Sequence, residues 1–318
     1  MLHNALKTLT RALDATVLLT AEVPTGEERI GAEVEEFVVD GLIKLKLIIP
    51  EAGAPHRVME ISKLRGRPLG RTRYEYEIGP PHGLRILLTG VLEELSSAVD
   101  ARNRLTVGVK GLDEMLGGGI VRGSTLLICG PTGSGKTLTC LSMAAENTLR
   151  GERVAYITFE EPVQQVEETL RFMGYNPEEL REKGLKILSI NPRAVTLVGT
   201  YNIADLLMRV GGDERTLVIM DGVATLREEF GRTFSRTLRD IAFFAKRNGV
   251  TMVFSVLKEP GEPITHVSTV ADAIVEFRVK EVNGRLLRQV GVLKARMSEA
   301  DPSFREVKLA RGKLVVGG

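Results

Sequence analysis

From residue 125 onward, short runs that are apolar at nearly every position alternate with stretches whose apolar residues recur every three or four positions. LLIC at 126–129, YITF at 156–159, LVIM at 217–220 and VFSV at 253–256 are runs of the first kind. Continuous apolarity predicts strands buried on both faces, and the helical spacing between them predicts crossover helices. Together they give a parallel sheet inside two helical layers. Helices are expected over 162–173, 177–183, near 202–210 and over 233–247, the last stopping at Asn248-Gly249, with the strand KILSI at 186–190 among them. Before residue 89 the pattern changes. Helical spacing over 4–13 leads into an expected strand TVLLTA at 16–21. EEFVVDGLIKLKLII (35–49), the alternating RVMEISKLRG (57–66) and YEYEI (74–78) then all read as strands.

A mostly polar connector at 89–104, with one short helical piece, separates region 1–88 from region 105–318. The two regions are related by an internal repeat. LHNALKTLTRALDATVLLTA at 2–21 parallels LRDIAFFAKRNGVTMVFSV at 238–256; VVDGLIKLKL at 38–47 parallels VADAIVEFRV at 270–279; VMEISKLRG at 58–66 parallels QVGVLKARM at 289–297. Asp40 and Lys63 are separated by almost the same span as Asp272 and Lys294. The first region is therefore expected to repeat only the later half of the second.

The earlier half of the second region holds the clearest chemistry. TLLICGPTGSGKTLTCLSMAAE at 125–146 reads as strand, glycine-rich loop and helix. Gly130, Pro131, Thr132, Gly133, Ser134, Gly135, Lys136 and Thr137 fit G-x-x-x-x-G-K-[ST], the P-loop. Glycines let successive backbone N–H groups turn toward phosphate oxygens, and the helix that follows adds its positive dipole end. Lys136 is expected to reach the β- and γ-phosphates and the Thr137 hydroxyl to bind Mg²⁺, so ATP and Mg²⁺ are the expected ligands.

An ATPase also needs carboxylates. Asp221 ends the run LVIM, where a parallel sheet presents ligands at its carboxyl edge, and is the expected second metal residue. Glu160 and Glu161 end YITF. Two adjacent carboxylates beside a triphosphate are costly unless a metal or a proton-transfer role compensates. Glu160 is read as the base, with Glu161 assisting. The alternative is an acidic flank to the helix opened by Pro162, which its dipole alone favours.

Composition changes this picture little. Lys and Arg total 43 against 41 for Asp and Glu, and the net charge of +2 gives no general reason to expect nucleic acid or a membrane surface. Cys129 and Cys140 read as small buried apolar residues suited to a reducing compartment. No window is apolar enough for a membrane span, and a cytoplasmic location is expected.

The P-loop, FEE at 159–161, GVKGLDEMLGGG at 108–119 and HVSTVADAIV at 266–275 together resemble the KaiC-type branch of the RecA-like ATPases. The likeness covers nearly the whole chain. It implies an α/β fold: a RecA-like P-loop NTPase with a mainly parallel sheet between helices, preceded by a partial RecA-like repeat rich in strands. It implies a homo-oligomeric ring, usually hexameric, with ATP between neighbouring subunits and protein partners that respond to its turnover. Lys294 and Arg296 match a pair that in the family reaches the neighbour's γ-phosphate, and Lys63 and Arg65 match it in the partial repeat. Ser268 and Thr269 match the autophosphorylated Ser and Thr of clock members. Without the family, Lys294 and Arg296 read as the solvated edge of a strand, and Ser268 and Thr269 as turn caps.

The chain departs from the family's pattern at Ile264, where an acidic residue is expected, at Pro162 and Gly222, each in place of Ser, and at Met297 in place of Gly. The first departure bears on autophosphorylation; the other three bear on turnover and phosphate sensing rather than on nucleotide binding. Two other functions remain open: a RecA- or RadA-like DNA-dependent ATPase, and a scaffold that binds nucleotide and hardly hydrolyses it. Against the first, the candidate loops at 224–239 and 258–266 mix both charges and carry little aromatic character for base stacking.

Overall fold

In a computed structural model of the chain, the described residues are 15–22, 39–49, 56–69, 72–79, 83–87, 100–192, 216–231, 234–259 and 266–317, with positions 8, 12 and 261. The chain divides into two units, residues 1–49 with 55–91, and residues 50–54 with 92–318. The helices expected over 4–13 and near 202–210, and the helical piece of the connector, fall wholly or almost wholly outside the described residues.

The first unit contains a four-stranded antiparallel meander: β1 (Gly41–Ile48), β2 (His56–Leu64), β3 (Arg73–Gly79) and β4 (Gly83–Leu87), paired in that order. Period-two alternation sorts its faces. Leu45 stands opposite Met59, which stands opposite Tyr74, while Lys44 stands opposite Glu60. Lys46 pairs with Glu60 at 3.0 Å on the polar face. Strand β4 was not anticipated, because GLRIL is short and alternates only once.

The second unit opens with β5 (Arg104–Leu105), α1 (Lys110–Met115) and β6 (Ile120–Val121). Asp113 clamps this lead-in, accepting from Thr106 Oγ1 at 2.5 Å and Val107 N–H at 2.7 Å. Next come β7 (Thr125–Gly130), α2 (Lys136–Leu149), β8 (Arg153–Thr158), α3 (Val163–Phe172), α4 (Pro177–Glu182), β9 (Leu185–Ser189) and β10 (Thr216–Asp221). They are followed by α5 (Leu226–Phe230), α6 (Phe234–Arg247), β11 (Thr251–Leu257), β12 (Ala273–Val282), β13 (Arg285–Ala295), β14 (Phe304–Ala310) and β15 (Lys313–Val316). A nine-stranded sheet runs β15-β14-β13-β12-β7-β11-β10-β8-β9. From β12 to β9 every pairing is parallel, and the β13 to β15 flank is antiparallel. The mainly parallel sheet between helices is thus the observed fold.

Alternate residues of β7 feed two separate cores. Leu126 and Ile128 pack with Cys140, Leu141 and Ala144 of α2 on one face; Leu127 and Cys129 pack with Leu238, Ile241 and Ala242 of α6 on the other. Both cysteines are free and buried, and burial pushes the Cys129 thiol up to about 12.

The internal repeat is structural as well as textual. Strands β1 to β4 follow one another as β12 to β15 do, and each set carries a register shift at the same place, between Leu42 and Ile43 in one and between Ile274 and Val275 in the other. One expectation fails. Residues 16–21 form no strand, and Leu18 is 89% exposed. Their counterpart β11 is held between β7 and β10, and the first unit has no described strand corresponding to either. A strand with neither neighbour cannot satisfy its backbone in a ladder.

Candidate nucleotide site

The loop between β7 and α2 adopts conformations that only glycine takes without strain. Gly130 has φ 153° and Gly135, which caps α2, has φ 114°. A Cβ on Gly130 would stand 2.6 Å from Phe277 O, so β12 closes against the loop. Lys136 Nζ donates to Gly130 O at 2.9 Å and Pro131 O at 2.8 Å, folding the ammonium over the start of the loop. Ser134 Oγ is buried with no hydrogen-bond partner among the described residues. A glycine cradle at a helix N-terminus, a lysine across its mouth and an orphaned hydroxyl fit a bound phosphate chain.

The acidic residues gather at the same edge of the sheet. Asp221 ends β10 level with Thr158, the end of β8. Glu160 and Glu161 follow immediately, their N–H groups donating to Thr158 Oγ1 at 3.3 Å and 3.1 Å. The charges of these groups act on one another. Burial holds Lys136 below its ordinary value, with Asp221 and Glu160 opposing. Burial, and then the charge of Asp221, raise Glu160 above the usual carboxylate range, with Lys136 opposing. Glu161 is raised by burial, then Asp221, then Glu160, and its Oε2 is buried without a partner among the described residues. The charge of Asp221 acting on both glutamates is repulsion that a cation or a shuttled proton would relieve.

Asp221 itself is held by residues that the sequence reading passed over. The Tyr156 hydroxyl donates to Oδ2 at 2.6 Å, and the Ser255 hydroxyl is bonded to Oδ1 while accepting from Gly222 N–H at 2.9 Å. Both sit inside strands of otherwise apolar character, and a lone polar group in a buried central strand was the available signal. Arg288 of β13 was also missed; its Nε donates to Gly133 O in the P-loop at 2.9 Å.

A family model described as ATPase: KaiC matches residues 1–90 and 105–317. The chain belongs to the KaiC ATPase family. It is 31% identical over 282 residues to the circadian clock oscillator protein KaiC of Thermostichus vulcanus, covering 86% of this chain and 53% of that protein. It is 29% identical over 286 residues to KaiC of Picosynechococcus, covering 88% and 54%. Against KaiC of Synechococcus elongatus the identity is 29% over 286 residues, covering 87% and 54%. The chain spans about half the length of the curated relatives it matches.

The remaining residues singled out by the KaiC likeness lie elsewhere in the unit. Lys294, at the end of β13, and Arg296, just beyond it, lie beside Asp272, whose N–H donates to Thr125 O at the beginning of β7. The P-loop begins at the other end of that six-residue strand, roughly 16 Å away at the usual rise per residue. Ser268 and Thr269 form a short 3₁₀ turn (His266–Thr269) at the same end as Lys294, whose Nζ donates to Ser268 O at 3.3 Å and Ala271 O at 2.6 Å. The unit therefore brings together the P-loop, Asp221, Glu160 and Glu161, and keeps Lys294, Arg296, Ser268 and Thr269 apart from them. Among the described residues no three His, Cys, Asp or Glu side chains form a metal cluster, and no helix is long and apolar enough to cross a membrane.

Proposed function

We propose that this KaiC-family protein binds ATP with Mg²⁺ at the loop 130–137 and hydrolyses it in a site completed by a neighbouring subunit. The convergence of Lys136, Asp221 and Glu160 at one edge of the sheet carries this reading. Lys136 leaves its loop carbonyls for the β- and γ-phosphates, and the N–H groups of the loop take the phosphate oxygens. Thr137 and Asp221 would hold Mg²⁺, which would supply charge neutralisation on those phosphates. Tyr156 and Ser255 keep Asp221 in one orientation. Glu160, raised by its surroundings, takes the proton of the attacking water, and Glu161 assists.

Lys294 and Arg296 supply cations to the γ-phosphate of the neighbour. Their distance from the P-loop of their own chain supports action between subunits, and so a ring that is homo-oligomeric and, by family likeness, hexameric. Ser268 and Thr269 share their end of the sheet and would meet the same neighbouring site, which supports them as acceptors of the γ-phosphate. The unit is expected to act as a nucleotide-driven switch for protein partners in the cytoplasm.

Lys136→Ala is expected to abolish nucleotide binding and hydrolysis, and unchanged turnover would overturn the site. Light scattering with and without ATP and Mg²⁺ tests the ring, since a monomer in both conditions contradicts it. Intact mass after incubation with ATP tests the acceptors. Stimulation of turnover by single-stranded DNA, weakening with salt, would favour the RecA-like alternative. Bound but unhydrolysed ATP in a single turnover would favour the scaffold.

A further inference from the structure

One arrangement at the end of β13 is built twice in this chain. Asp272 is 3% exposed. Its Oδ2 accepts from Thr125 N–H at 3.0 Å, and Lys246 Nζ, from the end of α6, lies 3.0 Å from both of its oxygens. Arg296 N–H donates to Asp272 O at 2.9 Å, and its Nη1 stands 3.5 Å from Oδ1. In the first unit Arg65 N–H donates to Asp40 O at 2.8 Å, and Arg65 Nη1 donates to Asp40 Oδ1 at 3.2 Å. The Asp40 side chain is 84% exposed, and no described strand stands where β7 stands beside Asp272. The Asp–Arg pairing therefore forms without burial and belongs to the strand pair itself.

The contacts around Asp272 divide the work. Lys246 compensates the buried carboxylate at close range, so its burial does not depend on Arg296. Arg296 is held by its backbone and by a long ion pair, with its side chain 56% exposed. At 3.5 Å the guanidinium is oriented while most of its five donors stay uncommitted. A long side chain already restricted to one direction loses less freedom when it meets a phosphate. Lys246 and Arg296, with Thr269 and Phe243, also line a cavity of about 150 Å³ at this end of the sheet.

We propose that Asp272 is a positioning residue for Arg296, aiming its guanidinium for the γ-phosphate of the neighbouring subunit while Lys246 anchors the carboxylate. The proposal rests on the reading of a site shared between subunits. Mixed assemblies separate the two. Lys136→Ala subunits lack a cradle but donate Arg296, and Arg296→Ala subunits lack that arginine but keep a cradle, so their mixture should regain hydrolysis. Asp272→Asn added to the Lys136→Ala subunit should cut that rescue about tenfold. Added instead to the Arg296→Ala subunit, which has no guanidinium to aim, it should leave the rescue within twofold. Protein carrying only Asp272→Asn should bind a fluorescent ATP analogue within twofold of the parent, because the cradle lies at the other end of β7, and this shows that the variant is folded. No rescue in the parent mixture overturns the shared site and the positioning role with it. Rescue that ignores Asp272→Asn, falls equally in both placements, or accompanies lost analogue binding overturns the positioning role alone.

Discussion

The carboxyl group of Glu160 lies directly over Gly222: a Cβ on that glycine would stand 2.7 Å from Glu160 Cδ and 2.9 Å from Oε1. Gly222 has φ 75°, a conformation that costs an L-residue about 1–2 kcal/mol. The glycine after Asp221 thus leaves room for the proposed base. Gly222→Ser is expected to cost stability by that amount and to displace Glu160. Turnover should fall on the order of 10²-fold, the lower end of what a positioned general base contributes, with nucleotide affinity little changed. Thermal unfolding and single-turnover hydrolysis check the two parts.

Much of this site was legible in the sequence because its chemistry is carried by short contiguous signals. The P-loop, Glu160 and Glu161 stand at strand ends, and period alone located β7, β8 and β10. Tyr156 and Ser255 were not legible as partners of Asp221, because their bonds join residues from three strands, and strand order is not written in local pattern. The strand expected at 16–21 failed for the same reason. Its apolar run is real, but a strand needs neighbours, and the periodicity of TVLLTA says nothing of whether they are there.

Glu161 gives a pH test. Its value is raised in the folded chain above the ordinary 4.5, by burial first and then by Asp221 and Glu160. A carboxyl raised on folding binds more protons in the folded state, so its contribution to stability is lost as pH rises from that ordinary value through the folded one. Above both, the ionised group is a net cost. Glu161→Gln should therefore raise the melting temperature near pH 8 by on the order of 2 °C and change it little near pH 4. Equal gains at both pH values would show that the effect is not electrostatic.

Tyr156 should matter without touching nucleotide. It is fully buried, and its hydroxyl donates to Asp221 Oδ2. Tyr156→Phe removes a hydrogen bond to a charged group, worth about 1.5–3 kcal/mol, and frees one side of the carboxylate. Residues that orient a metal-binding group typically change activity by about tenfold or more when lost. Hydrolysis measured across a Mg²⁺ titration should show a raised Mg²⁺ requirement as well as a lower maximum. A stability loss with an unchanged Mg²⁺ profile would make Tyr156 purely structural.

The repeated Asp–Arg pairing yields a contrast between two arginines of like local geometry. Arg296 and Arg65 each follow a β-bulged strand pair and each pair with an aspartate, Asp272 and Asp40. Only Arg296 belongs to a unit containing a P-loop, and the chain holds one such loop. A cation that stabilises transferring phosphate is worth about 10³-fold or more in rate, and this contribution needs a cradle placed to meet it. Arg296→Ala should slow hydrolysis by at least about 10²-fold with nucleotide affinity nearly kept, whereas Arg65→Ala should leave turnover within about twofold. Steady-state hydrolysis of the two variants side by side, with nucleotide binding measured in each, makes the comparison. Equal losses would mean that the first unit, too, meets a phosphate in the assembled protein, and that the two repeats are equivalent in function as well as in register.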